Sequence, residues 1–169
     1  VVDEVTPLLS GASAERRTKL EGILVTASFR LAYTAKRFFD YHIAVQNYRQ
    51  IADSSVFASS RDPEMPERIT DSLINAARIL EYQQQYAQAA QYYTRAAERL
   101  QDPAEQRSAR FRVAEMSFKR RDWNGAIREM QAFIDRYRND RGASETLILA
   151  HQRIAQVREA QGSRQATVA

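Results

Sequence analysis

Residues 86–100 read YAQAAQYYTRAAERL, and residues 123–137 read WNGAIREMQAFIDRY. Aligned at an offset of 37 residues, both stretches begin with an aromatic residue and carry alanine three positions later. A large apolar residue follows four positions after the alanine, and another apolar residue three positions after that. Residues 41–51, YHIAVQNYRQI, keep the same order. Apolar positions that recur at helical spacing predict a repeated pair of packed helices.

The alanine of each copy marks the place where two antiparallel helices approach each other. A small side chain there lets the two backbones come close, the preceding aromatic residue closes the corner of the hairpin, and the larger apolar residues fill the space toward the next hairpin. Each copy follows another helical segment with its own small residue. These residues are Ala32, Ala77 and Ala114. We therefore expect an all-α fold without a β ladder, in which Ala44, Ala89 and Ala126 are buried.

Capping residues, glycines and prolines predict where the helices begin and end. Ser13 and Asp102 are predicted N-caps, the second with proline in the first helical position. The two prolines of FASSRDPEMP, residues 57–66, predict a loop, and Gly162 is predicted to end the last helix. Nothing breaks the chain between Ala35 and Tyr41, which leaves open a continuous first helix. The predicted segments are an irregular start (1–13), a degenerate hairpin (14–56), two repeats (67–101 and 104–138), a capping or partial-repeat helix (143–162) and a frayed tail (163–169).

This pattern resembles the tetratricopeptide repeat, whose signature is Leu-Gly, Tyr, Ala, Phe or Tyr, Ala and Pro. The best copy fills these positions with Ala76, Ala77, Leu80, Tyr86, Ala89, Tyr93 and Ala96. The next copy, between Ser108 and Tyr137, fills them with Val113, Ala114, Phe118, Trp123, Ala126, Met130 and Phe133. Gln84 and Arg121 replace the family's glycine between the helices, and the spacing exceeds the usual repeat of about 34 residues.

The resemblance implies a right-handed superhelical solenoid of about three antiparallel hairpins with a C-terminal capping helix. It also implies a non-catalytic scaffold that binds other proteins or peptides. The stretches AIREMQAFIDRYRND (126–140) and SETLILAHQRIAQVREAQG (144–162) are similar to the longer repeats of cell-envelope proteins in Gram-negative bacteria. This resemblance implies a periplasmic or outer-membrane-associated location; a cytoplasmic location is the alternative. Because the chain begins with valine, we expect it to be part of a larger multi-repeat protein.

Composition narrows the classes of partner. The 25 Lys and Arg residues exceed the 21 Asp and Glu residues, for a net charge of +4, but the two signs alternate along the chain. Interleaved charges are typical of a solvated face, so nucleic acid or another polyanion is the less favoured partner. The absence of cysteine excludes disulfides and thiolate zinc sites, and no apolar run reaches the roughly 18 residues of a membrane span.

The sequence offers little for catalysis. His42 and His151 are the only histidines and lie in distant repeats, and no metal-binding, phosphate-loop or nucleophile motif is present. We therefore predict no enzyme activity, cofactor, metal site or catalytic residue. Tyr86, Tyr93 and Trp123 fall on packing positions, whereas Tyr82 and Tyr92 fall outside them and are predicted to be available to a partner.

Helical phase predicts a partner-binding groove along the first helix of each hairpin. Residues out of phase with the packing positions are expected to line it, forming a mixed apolar and basic trough for an extended or helical peptide of acidic character. A purely solvated face is the alternative. The predicted groove residues are Ile74, Asn75, Arg78, Tyr82, Phe111, Arg112, Glu115 and Lys119.

Overall fold

The computed structural model describes the backbone of residue 9 and residues 11–168, and side chains as far as residue 162. Every regular element in this part is helical, which confirms the all-α class, and no strand occurs among the described residues. The helices are α1 (Ala14–Arg37), α2 (Tyr41–Asp53), α3 (Ser55–Ala58), α4 (Met65–Tyr82), α5 (Tyr86–Arg99), α6 (Pro103–Lys119), α7 (Trp123–Tyr137) and α8 (Ser144–Val168), with a 3-10 turn at Arg141–Ala143.

The chain divides into two compact units, Val1–Leu80 and Glu81–Ala169. In the first unit α1 packs against α2, and the short helix α3 contacts both. In the second unit α6 packs against α5 and α7, while α8 packs against α7 and reaches α6. The packed pairs α1–α2, α5–α6, α6–α7 and α7–α8 are thus adjacent in sequence, as expected for consecutive hairpins.

The three alanines that carry the repeat pattern are buried. Ala44 and Ala89 have no exposed surface, and Ala126 is 1% exposed. The small residues of the preceding helices, Ala32, Ala77 and Ala114, are also buried. The prediction that these positions mark close helix contact is thus consistent with complete burial, and a larger side chain there would overpack the interface.

The second unit has a core shared by its last three helices. The buried residues of this core are Ala114, Met130, Phe133, Ile134, Ala150 and Ile154. Phe111, Tyr137 and Leu147 pack against it while remaining partly exposed. Helix α8 therefore completes an apolar core that α6 and α7 begin.

The hairpin turns share one backbone conformation that their residue types do not predict. Phe39, Gln84 and Arg121 have φ angles of 62°, 61° and 61°, in the left-handed region. Each lies two positions before the aromatic residue that opens the second helix. This is the position where helices commonly place glycine, because a side chain is disfavoured at positive φ.

Hydrogen bonds around these residues form the helix-ending motif that requires a left-handed residue. In the third hairpin the Arg121 N–H donates to Phe118 O at 3.0 Å, and the Asp122 N–H donates to Ser117 O at 3.1 Å. The Asp122 carboxylate then accepts from the Gly125 N–H at 3.0 Å and caps α7. One helix thus ends and the next begins within three residues.

The first hairpin has the same turn. The Asp40 N–H donates to Ala35 O at 2.9 Å, and the Asp40 carboxylate accepts from the Ile43 N–H at 3.3 Å. The continuous first helix that the sequence left open is therefore wrong, because α1 ends at Arg37 and Asp40 caps α2. This turn exposes Phe38 and Phe39, where the other two turns carry glutamine and arginine pairs.

Other predicted boundaries had mixed outcomes. The N-caps at Ser13 and Asp102 are confirmed. The loop predicted at 57–66 is too long, because Phe57 lies buried in α3 and Pro66 lies in the first turn of α4, where no N–H is required. Gly162 does not end the last helix, whose backbone continues through Val168. Of the predicted irregular start, residues 1–8 and 10 lie outside the described residues, as does residue 169 of the tail.

Candidate partner-binding site

Three predicted groove residues lie in the first unit. Ile74 and Asn75 are half-buried, and Arg78 is exposed. The Asn75 side-chain oxygen accepts a hydrogen bond from Lys36 Nζ at 3.0 Å, so this residue joins α4 to α1. Partial burial, together with the nearby charge of Arg78, lowers the pKa of Lys36 below its ordinary value.

In the second unit, Glu81 gathers two of the predicted basic residues. Lys119 Nζ lies 2.6 Å and Arg112 Nη1 lies 3.2 Å from Glu81 Oε1. Tyr93 Oη donates to Glu81 Oε2 at 2.8 Å. We call these four residues the Glu81 cluster. It contains two cations and one carboxylate, so it carries a net positive charge.

The environment of Glu81 favours its ionised form. Burial alone would raise the pKa of its carboxyl group, because a charge is poorly solvated there. Hydrogen bonds from Lys119 and Tyr93, with the charges of Lys119 and Arg112, outweigh burial and lower the pKa below its usual value. The cluster therefore keeps its charge pattern at neutral pH.

Glu115 and Phe111 do not line an open groove. Glu115 is only 7% exposed, and Arg153 Nε of α8 lies 2.7 Å from its Oε1. Phe111 packs edge-on against Phe133, with 5.4 Å between ring centroids, and joins the core completed by α8. The prediction that these two side chains point away from the packing is wrong, because α8 covers that part of α6.

The pair formed by Glu115 and Arg153 continues into an aromatic stack. The Arg153 guanidinium lies 4.7 Å from the centre of the Phe118 ring, within range of a cation–π interaction. Phe118 in turn contacts Trp123 edge-on, at 5.9 Å between centroids. Trp123 is half-buried, as expected of a residue that closes the hairpin corner.

The exposure of the tyrosine side chains differs in part from the prediction. Tyr82 is 70% exposed and remains accessible to a partner. Tyr92 is buried, with the Arg95 guanidinium 5.3 Å from its ring centre, so its predicted availability is wrong. Tyr93 is buried as predicted, and Tyr86 is half-buried. Of the eight predicted groove residues, those in the second unit that retain substantial exposure are Tyr82, Arg112 and Lys119.

A cleft of about 260 Å³ lies among α5, α6 and α7 and was missed by the sequence reasoning. Its lining residues are Thr94, Ala97, Arg110, Val113, Glu129, Ala132, Phe133, Arg136 and Tyr137. The five lining residues from α7 follow helical spacing, so the sequence shows that they share one face of that helix. The sequence does not show that three helices meet at the cleft. Arg110 Nε and Tyr137 Oη are buried without a hydrogen-bond partner among the described residues.

The described residues contain no cluster of three or more His, Asp or Glu side chains able to hold a metal ion. His42 and His151 are both exposed. Within the same part of the chain, no helix combines the length and apolar character that crossing a bilayer requires. Comparison with protein-family models finds no match to this chain, and comparison with curated proteins finds none either.

Proposed function

We propose that this chain is a non-catalytic, tetratricopeptide-type module that binds other proteins through the surfaces of its helix hairpins. The observation that supports the proposal is one pattern that occurs three times. It consists of a left-handed turn residue, an aromatic residue two positions later and a buried alanine three positions after that. Repeated hairpins of this kind present extended surfaces rather than a single enclosed active site. Right-handed superhelical stacking and a role in a bacterial envelope assembly belong to the same proposal.

Charge supports an acidic partner. Residues 81–169 contain 15 Lys and Arg residues against 11 Asp and Glu residues, whereas residues 1–80 contain 10 of each. The net charge of +4 therefore falls in the second half of the chain. Within it, the Glu81 cluster presents Arg112 and Lys119, and Tyr82, the next residue after Glu81, has an exposed ring. Arginine and tyrosine are common anchors of protein interfaces, so this surface is the one we assign to the partner.

Capture and crosslinking of protein partners test the proposal. The double variant Arg112→Gln/Lys119→Gln should weaken capture of a bound partner by about tenfold or more, because it removes two charges that an acidic segment would meet. Arg128→Gln is the matched control, since Arg128 is an exposed arginine of α7 outside the Glu81 cluster. Far-UV circular dichroism checks that each variant is folded. Failure to capture any protein, or equal capture by the double variant, counts against the proposal.

The same charge asymmetry favours one alternative, a module that binds nucleic acid or another polyanion. Such binding weakens steeply as salt rises, because counterions are released from the phosphate backbone. Titration of single-stranded and duplex DNA and RNA at two salt concentrations separates the two functions. Tight, salt-sensitive binding would replace the protein-binding proposal, whereas indifference to all four polymers would remove the alternative.

A further inference from the structure

The cleft among α5, α6 and α7 has both apolar and polar lining residues. Of the apolar ones, Ala97 and Phe133 are buried and Val113 is half-buried. Arg110 and Tyr137 stand on opposite helices, α6 and α7, and both line the space. The cleft thus combines a surface for an aliphatic stem with donors for a polar head.

Two of these donors lack partners. Arg110 Nε and Tyr137 Oη are both shielded from solvent, and neither has a hydrogen bond within the described residues. Leaving a buried donor unpaired costs free energy, and more so when the donor is charged. Because no water-sized atom reaches either donor in this arrangement, a ligand must displace the groups that cover them. Once it supplies an acceptor to both atoms, it recovers that free energy.

The charged residues of the lining favour one kind of hydrogen-bond acceptor. Arg110 and Arg136 contribute two positive charges, while Glu129 is the one acidic residue of the lining and lies 3.4 Å from Arg128, which is outside it. The lining therefore has a net positive charge. A carboxylate fits this set, because guanidinium groups pair with it through two parallel hydrogen bonds and a tyrosine hydroxyl can donate a third.

The volume of the cleft indicates what kind of molecule would carry the carboxylate. About 260 Å³ is room for roughly nine water molecules, below the range of about 300–1,000 Å³ typical of sites for drug-sized ligands. We infer that the cleft binds the acidic side chain of a partner peptide, with its methylene stem against Val113 and Phe133 and its carboxylate between Arg110, Arg136 and Tyr137. This inference rests on the proposed protein-binding function but uses a surface different from the Glu81 cluster.

Side-chain NMR of the arginine Nε–H groups gives a direct test. The probe is a capped glutamate, N-acetyl-glutamic acid α-amide, and its neutral counterpart is N-acetyl-glutamine amide. The glutamate probe should shift the Arg110 Nε–H resonance in a saturable way, with a Kd of about 1 mM expected for one side chain. The neutral probe should leave that resonance unmoved. An unmoved Arg110 resonance, or equal shifts with the neutral probe or with acetate, overturns the inference.

Variants connect the shift to the cleft. Tyr137→Phe keeps the ring and removes one donor, and Arg110→Lys keeps the charge but removes the paired geometry. With the Kd followed through the Nε–H resonance of Arg136, which also lines the cleft, each should raise the Kd about threefold to tenfold. Arg158→Gln, at an exposed residue of α8 that does not line the cleft, should leave the Kd unchanged. If Tyr137→Phe and Arg110→Lys both bind the glutamate probe with the same Kd as the unaltered protein, the inference is overturned, even if one variant is less stable.

The same measurements separate this inference from the function on which it rests. If a protein partner is captured in a manner dependent on Arg112 and Lys119 while the probe leaves Arg110 unmoved, the cleft inference fails and the proposed function stands. If the probe shifts Arg110 but no protein is captured, the carboxylate site stands as a chemical feature and the proposed function fails.

Discussion

Replacing Arg121 or Gln84 by glycine should stabilise the protein, against the usual effect of glycine. Both residues hold φ near 61°, where a side chain costs about 1–2 kcal/mol relative to the right-handed region. Glycine removes that strain but adds about 0.5–1 kcal/mol of backbone entropy to the unfolded chain. Both side chains are exposed, so little packing is lost. The expected net gain is about 0.5–1 kcal/mol for each turn.

Urea unfolding followed by far-UV circular dichroism measures this gain. Both turns lie in the second unit but in different hairpins, so their effects should add in Gln84→Gly/Arg121→Gly. A melting temperature about 2–4 °C higher for each kcal/mol is expected for a chain of this size. The control is Arg120→Gly, one position earlier with φ −73°, which should lose about 0.5–1 kcal/mol through backbone entropy. Loss of the ion pair between Arg120 and Asp122, 2.7 Å long and part-exposed, adds little to this, because exposed ion pairs contribute little to stability.

Destabilisation by Arg121→Gly and Gln84→Gly as large as that by Arg120→Gly would contradict this expectation. Equal losses would mean that the turns do not hold their left-handed residue in solution, and the shared hairpin geometry would then lose its support. A gain at one turn alone would limit the shared geometry to that hairpin.

Three further outcomes are expected. Ala89→Leu should cost about 1–3 kcal/mol in urea unfolding because Ala89 is completely buried, whereas Ala87→Leu, exposed on the same helix, should cost little. Because the folded pKa of Glu81 lies below its unfolded value, its stabilising contribution is present above about pH 4 and is lost as pH falls, so Glu81→Gln should show a flatter acid unfolding profile. Burial, then the neighbouring Tyr33 and Asp71, raises the pKa of Tyr48 to about 12, so its stabilising contribution should fall as pH rises from about 10 toward 12. Tyr48→Phe should therefore reduce the slope of stability against pH in alkaline unfolding.

The repeat pattern was enough to predict the fold class and the buried alanines. Each of these features depends on spacing along one helix, and a helix fixes which residues share a face. Ala44, Ala89 and Ala126 stood out because a small residue between large apolar ones has few explanations other than close packing. The N-caps at Ser13 and Asp102 are similarly local, because a cap depends on three or four neighbouring residues.

The hairpin turns were harder to predict because their left-handed residues are phenylalanine, glutamine and arginine. None of these residue types indicates positive φ, so the absence of glycine suggested a departure from the repeat rather than the same turn at a cost in strain. Asp40 and Asp122 were the usable signals. Each is an aspartate directly before an aromatic residue that opens a helix, and each caps that helix.

The site was only partly predictable, because helical phase does not say which neighbour covers a face. Phe111 and Glu115 are out of phase with the repeat positions, yet α8 supplies a core and an arginine to cover them. The cleft around Arg110 needs three helices to converge, and no single stretch of sequence records that. Arg112 and Lys119 kept the exposure expected of them, but their shared contact with Glu81 appears only in three dimensions.

The exposed turns at Gln84 and Arg121 have a practical consequence in a chain without cysteine. A thiol introduced at either position replaces one non-glycine residue by another at the same backbone angle, so it adds little new strain. Paired spin labels or fluorophores on these thiols would report the spacing of successive hairpins as a single distance. A ligand that changes the spacing of these two turns would change that distance, so the same labelled molecule would register both its own geometry and the arrival of a partner.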